Sequence, residues 1–141
     1  RAGLRRTPMG VVFTDPNIAT AGESYSALRA SGCAFATGEV DFSGQGRSRV
    51  MLQNKGLLRV YGAHGSGKFL GAEMVGPRTE HIAHLLAWSV QQGLTVAQML
   101  DMPYYHPVIE EGLRTALRQL NHKLKLGPVM VKNCMDCGPG A

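Results

Sequence analysis

The sequence predicts an α+β domain in which an antiparallel sheet packs against two longer helices. Strand-like segments crowd the first half and amphipathic helical stripes occupy the second. No strand–helix–strand alternation of the kind that builds a parallel sheet is present. The 141 residues fit one domain of ordinary size, and 44% are hydrophobic, enough for a sizeable core.

Residues 10–14, GVVFT, are β-branched and aromatic, which favours a strand that Asp15-Pro16 ends. Glu23 to Ser31 holds helix formers with Gly32 directly after, a short helix with a C-terminal glycine. Ala34 to Phe42 is strand-like, and GQGRSRV (44–50) is expected to be a loop. GLLRVYGAH and KFLGAEMVG then flank Gly65-Ser66-Gly67, which predicts a hairpin broken off by Gly76-Pro77.

Two long helices should follow. Ile82, Leu85, Leu86, Val90 and Leu94 recur at three- and four-residue spacing, with Thr79 as the expected cap. A short helical piece covers Thr95 to Leu100. From Pro107, Ile109, Leu113, Ala116, Leu117, Leu120 and Leu124 trace a second apolar stripe.

Charge placement narrows the partners. The net charge is +5, yet residues 11–111 carry seven bases against nine acids, so the excess sits at the two ends. A nucleic-acid-binding face would concentrate it on the folded body instead, and no nucleic-acid partner is expected. No apolar run approaches the roughly 18 residues of a membrane helix, so no membrane partner is expected either. Three cysteines without framework spacing point to a reducing, cytoplasmic setting.

Four local patterns could carry chemistry. Gly62 to Lys68 nearly matches a phosphate-binding loop, but Phe69 replaces the hydroxyl residue and a strand, not a helix, is expected next. It reads as a glycine-rich turn. His81 and His84 share a helix face without a spaced third ligand, so no metal is expected there. Cys134 and Cys137 form a CxxC that could be redox-active or half of a zinc site, but it lies in a Gly/Pro-containing tail without the strand-to-helix context of a thioredoxin-like motif, which leaves two free thiols as the plainer reading.

The fourth pattern is YYHPVIEEGL, residues 104–113. Pro107 suits a first helical position, and Glu110 and Glu111 suit the first turn, where the helix dipole favours negative charge. That accounts for a capped helix start. It leaves His106 unexplained, since histidine is not a favoured cap. Side chains on a helix lean toward its N-terminus, so Glu111 could reach back, hold one ring nitrogen and free the other for proton transfer. On residue chemistry alone both readings stand.

His-Pro-x-x-x-Glu at the start of the last helix resembles the signature of the pyridine nucleotide-disulfide oxidoreductases. VVFTDPNIATAG, FLGAEMVGPRTEHI and LTVAQMLDMPYYHP are similar to further stretches of that family's C-terminal interface domain, over roughly residues 8–120. The resemblance implies a dimerisation domain of the FAD/NAD-linked reductase type, of the dihydrolipoamide dehydrogenase kind, forming a homodimer. It implies that His106, with Glu111 as its carboxylate partner, enters the partner subunit's active site and takes a proton from a substrate dithiol. Pro107 would be a contact of the cofactor. It suggests cis geometry at Asp15-Pro16 and His106-Pro107.

The family's GxGxxG fingerprint and CxxxxC disulfide do not occur in the 141 residues. FAD and NAD(P) are therefore expected only in a longer parent, with no cofactor in this piece and no activity by itself. The expected organisation is a basic linker over 1–7, the dimerisation domain over 8–120, and a basic tail over 121–141. Val108 and Glu110 replace the Thr and Ser usual in the histidine motif of dihydrolipoamide dehydrogenases. The alternative is a stand-alone interaction module with a metal-binding CxxC tail.

Overall fold

The computed structural model describes residues 3 and 5–125. Five strands form one antiparallel sheet: β1 (Met9–Val12), β2 (Asn17–Gly22), β3 (Phe35–Asp41), β4 (Leu57–Ala63) and β5 (Phe69–Gly76), in the order β1-β2-β5-β4-β3. Two long helices cover one face. α3 (Thr79–Gln91) lies over β2 and β5, and α5 (Glu110–Leu124) lies over β3 and β4. Three short helices complete the fold: α1 (Tyr25–Ala30), α2 (Gly46–Val50) and α4 (Val96–Leu100).

The core follows from the periodicities. Ala19 and Ala21 of β2, Leu58 and Val60 of β4, and Ala72 and Met74 of β5 alternate inward. They meet Ile82 and Leu86 of α3 and Leu113, Leu117 and Leu120 of α5, all buried. α5 approaches β3 closely because Gly38 has no side chain. A Cβ there would run into the Ala116 carbonyl and lie 2.7 Å from Leu120 Cβ. On the opposite face Tyr25, Phe35 and Tyr61 pack with ring centroids 5.5–6.1 Å apart. Tyr61 is buried there and donates to Glu73 Oε2 at 2.6 Å.

Several boundaries differ from expectation. Asn17–Gly22 is a separate strand, inside the sheet between β1 and β5. Its small residues Ala19 and Ala21 give little strand signal, but they leave room for α3 to lie close. The predicted loop 44–50 contains α2, started by Gln45, whose Oε1 accepts from Ser48 N at 2.7 Å. Thr79 is the first residue of α3, not its cap. Arg78, in the left-handed region at φ 56°, occupies the cap position without a side-chain bond, and the Thr79 hydroxyl is buried without a hydrogen-bond partner. Thr95 does cap α4, through a reciprocal bond pair with Gln98. Both Asp15-Pro16 and His106-Pro107 are cis.

Candidate active site at the start of the last helix

Pro107 is not the first helical residue. α5 starts at Glu110, after Ile109, so His106, Pro107 and Val108 form an approach to the helix. Ile109 is buried and anchors that approach to the core. Val108 is held twice. Its carbonyl accepts from Gln45 Nε2 at 2.8 Å, and its N–H donates to Glu111 Oε2 at 3.1 Å.

Glu111 therefore has two tasks. It satisfies a backbone N–H at the helix start and it accepts from His106 Nδ1, at 2.9 Å through Oε1 and 3.1 Å through Oε2. A carboxylate can only accept from that nitrogen, so Nδ1 carries the hydrogen and the lone pair of the neutral ring is on Nε2. Among the described residues no hydrogen bond engages Nε2. The His106 side chain is 60% exposed and that of Glu111 only 16%. A reachable proton acceptor thus stands on a screened, doubly bonded carboxylate.

The surroundings fix the approach further. Tyr104 turns inward: its hydroxyl donates to the Met99 carbonyl at 3.3 Å and the Arg114 guanidinium lies 5.5 Å from its ring centre. Burial pushes the Tyr104 phenol up to about 12 against the pull of Arg114 and Arg118, so it stays neutral around pH 7. Tyr105 points out and is 76% exposed.

Gln45 escaped the sequence reading. Glutamine is not a favoured cap, and nothing in local spacing ties residue 45 to 108. The other patterns stay apart from this site. His81 Nε2 lies 3.5 Å from Glu80, and His84 Nδ1 lies 3.1 Å from the Glu80 carbonyl. No group of three His, Cys, Asp or Glu that could hold a metal occurs among the described residues. Gly62 to Lys68 closes the β4–β5 hairpin through Ala63 N to Lys68 O at 2.9 Å, a strand-to-strand turn. Cys134 and Cys137 lie outside the described residues. No helix among the described residues is long and apolar enough to cross a membrane.

The chain belongs to the pyridine nucleotide-disulphide oxidoreductase family: residues 8–117 match its dimerisation domain. Among curated relatives it is 31% identical to dihydrolipoyl dehydrogenase of Haloferax volcanii, over 80% of this chain and 25% of that protein. It is 26% identical to mercuric reductase of Shigella flexneri, over 88% of this chain and 22% of that protein. Thus it spans about a quarter of the length of the relatives it matches. The fold is that of LpdA from Mycobacterium tuberculosis, at TM-score 0.77 and 24% identity over 84% of this chain and 26% of that one. It is also that of the flavoprotein disulfide reductase RclA from Escherichia coli, at TM-score 0.76 and 21% identity over 81% of this chain and 26% of that one.

Proposed function

We propose that this chain is the dimerisation part of a dithiol/disulfide oxidoreductase, in which His106 is the acid/base and Glu111 its positioning carboxylate. The single observation that carries this reading is the division of the His106 ring: Nδ1 bonded to a screened carboxylate, Nε2 without a hydrogen bond among the described residues on a side chain that is 60% exposed. The chemistry that follows is a proton transfer. Nε2 accepts a thiol proton from a substrate dithiol, leaving a thiolate able to attack a disulfide sulfur, and later returns the proton to a thiolate leaving group.

In this reading the parent enzyme uses FAD and NAD(P) and acts as a cytoplasmic homodimer. The described residues do not fit either cofactor. A dinucleotide site of that class needs a glycine-rich turn between a strand and a helix of a parallel unit, and every strand pairing here is antiparallel. In this reading other domains of the parent hold the cofactors, and the basic segment 1–7 is the linker to them. The unit over 8–120, whose last helix continues to Leu124, supplies the interface, and 121–141 form a tail. Pro107, exposed beside His106, has no N–H to offer and would meet a cofactor through its ring surface alone. The dimer face is the outer side of α3, where Leu85 and Trp88 are exposed beside Met102 and Tyr105.

His106→Ala in the complete enzyme tests the assignment. Dithiol oxidation should fall by at least about a hundredfold, the usual loss for a positioned acid/base group, while reduction of the flavin by NADH changes far less. Intact dithiol turnover would leave His106 as part of a helix start and no more.

A further inference from the structure

Gln45 sits directly before α2 and reaches the approach to α5 from outside it. Its Nε2 donates to the Val108 carbonyl at 2.8 Å, and its Oε1 accepts from Ser48 N at 2.7 Å. Turning the amide over would set hydrogen against hydrogen at Ser48 and oxygen against oxygen at Val108, so its orientation is fixed. The residue stands on the core. Its N–H donates to the Phe42 carbonyl at 3.2 Å, and the Ser48 hydroxyl lies 2.7 Å from that carbonyl and 2.8 Å from the Gln45 carbonyl. Phe42 and Ser48 are both fully buried. The Gln45 stem packs against the first turn of α5, where a Cβ on Gly112 would lie 3.4 Å from its Cγ. Among the described residues the backbone of 103–107 makes no hydrogen bond, so Val108 is where the approach is fastened.

The geometry points to Gln45 as a positioning residue for His106, acting through Val108 and without touching substrate. The inference rests on the proposed acid/base role of His106. Glu111 Oε2 serves both Val108 N–H and His106 Nδ1, at 3.1 Å each, so the place of Val108 decides where that carboxylate, and hence the imidazole, stands. Gln45 holds the other backbone group of the same residue. A donor is required at that point, because Val108 offers only its carbonyl. Without that bond Val108 keeps Glu111 alone, a partner on its own helix, and the two can shift together relative to the core. The His106 side chain, 60% exposed, has little packing to resist the shift. Proton transfer needs a heavy-atom reach of roughly 2.6–3.2 Å, so a small shift is felt in the rate of the step and hardly in the binding of substrate.

The test uses the complete FAD-loaded enzyme, with dihydrolipoamide as the dithiol probe and NADH as the probe of flavin reduction. Gln45→Glu keeps the acceptor for Ser48 N but sets an oxygen against the Val108 carbonyl. Gln45→Met keeps the length and loses both bonds. Each should lower kcat for the dithiol by about tenfold, short of the roughly hundredfold that a misplacement of about 1 Å can cost. KM and flavin reduction by NADH should stay within about twofold of the parent, since neither uses the imidazole as a base. Ser24→Ala removes a comparable cap bond, from Ala27 N at 3.2 Å, at α1 on the other face of the sheet, and should leave kcat unchanged. In a His106→Ala background Gln45→Glu should cost nothing further, because its effect passes through the ring. Unchanged kcat in both Gln45 variants, or an equal loss in the His106→Ala background, overturns the positioning role. So does a loss with Met but not with Glu, which would trace to the Ser48 contact, or a fall in flavin reduction in step with dithiol turnover. If His106→Ala costs about a hundredfold while Gln45→Glu costs nothing, the acid/base role stands and Gln45 is only the start of α2. If His106→Ala leaves dithiol turnover intact, both readings fall together.

Discussion

The two long helices treat the sheet alike and the outside differently. On their inner sides Leu86 of α3 and Leu117 of α5 are both fully buried. On the outer side α5 presents Thr115, Arg118, Gln119, His122 and Lys123, whereas α3 presents Leu85 at 42% and Trp88 at 65% exposure. Trp88 and Leu85 line an apolar groove of about 500 Å³ with Met102, Tyr104 and Tyr105. A lone exposed leucine needs no explanation, but a contiguous apolar groove bordered by tryptophan and tyrosine marks a surface that another molecule covers. Inward packing alone does not distinguish the helices. What faces away from the sheet does: the exposed positions of α5 are polar, whereas those of α3 border the apolar groove.

The strongest way to break this comparison is to test the inner faces for equality. Leu117→Ala and Leu86→Ala should each lower unfolding free energy by about 2–5 kcal/mol in urea titration. A much smaller loss for Leu86 would mean that α3 is held by its partner more than by its own sheet. Next, Leu85→Ser with Trp88→Ser should weaken self-association of the complete enzyme by about thirtyfold in sedimentation equilibrium, the scale of a lost interface anchor. Equal association in the variant would remove the assembly role of α3. Glu111→Gln sharpens the other half of the contrast. An amide can keep the contacts without the charge, so dithiol turnover should drop by about fivefold to tenfold with little change in stability.

A pH experiment separates the site's buried flank from its exposed one. The Tyr104 phenol is raised to about 12 by burial, so the folded state holds the proton more tightly than the unfolded chain. That contribution is complete below pH 10 and is lost as pH rises toward 12. Burial and the Glu73 carboxylate raise Tyr61 as well, so Tyr104→Phe should flatten only part of the alkaline decline seen in thermal melts. The smallest effect belongs to the outside of α5: His122→Ala should stay within about 0.5 kcal/mol of the parent and leave association untouched.

Much of this was legible in the sequence because the signals were periodic. The apolar stripes of α3 and α5 and the alternation around Gly65-Ser66-Gly67 each repeat often enough to outweigh local exceptions. β2 was less legible, since Ala19 and Ala21 owe their burial to the helix above them and not to any strand preference. α2 was invisible because a five-residue helix has no stripe and its starting residue, Gln45, is not a favoured cap. The His106–Glu111 contact was within reach of spacing alone, because a helix points its first-turn side chains back along the chain. The Gln45–Val108 bond was not, since it joins residues 63 apart and is settled only when the sheet is assembled.

The closeness of α5 to β3 also says something about what sequences this fold can accept. Most crowded positions can be relieved by a smaller neighbour, so substitutions there drift in compensating pairs. Position 38 has no such outlet. Besides Leu120 Cβ at 2.7 Å, an added Cβ would meet two backbone groups that every amino acid carries, the Ala116 carbonyl and, at 2.8 Å, the Leu120 amide nitrogen. No second-site change at 116 or 120 can remove them. A combinatorial library that randomises the domain around its last helix should therefore recover glycine at 38 in every folded clone, whatever accompanies it elsewhere. Residue 38 is an invariant that geometry imposes without any help from chemistry.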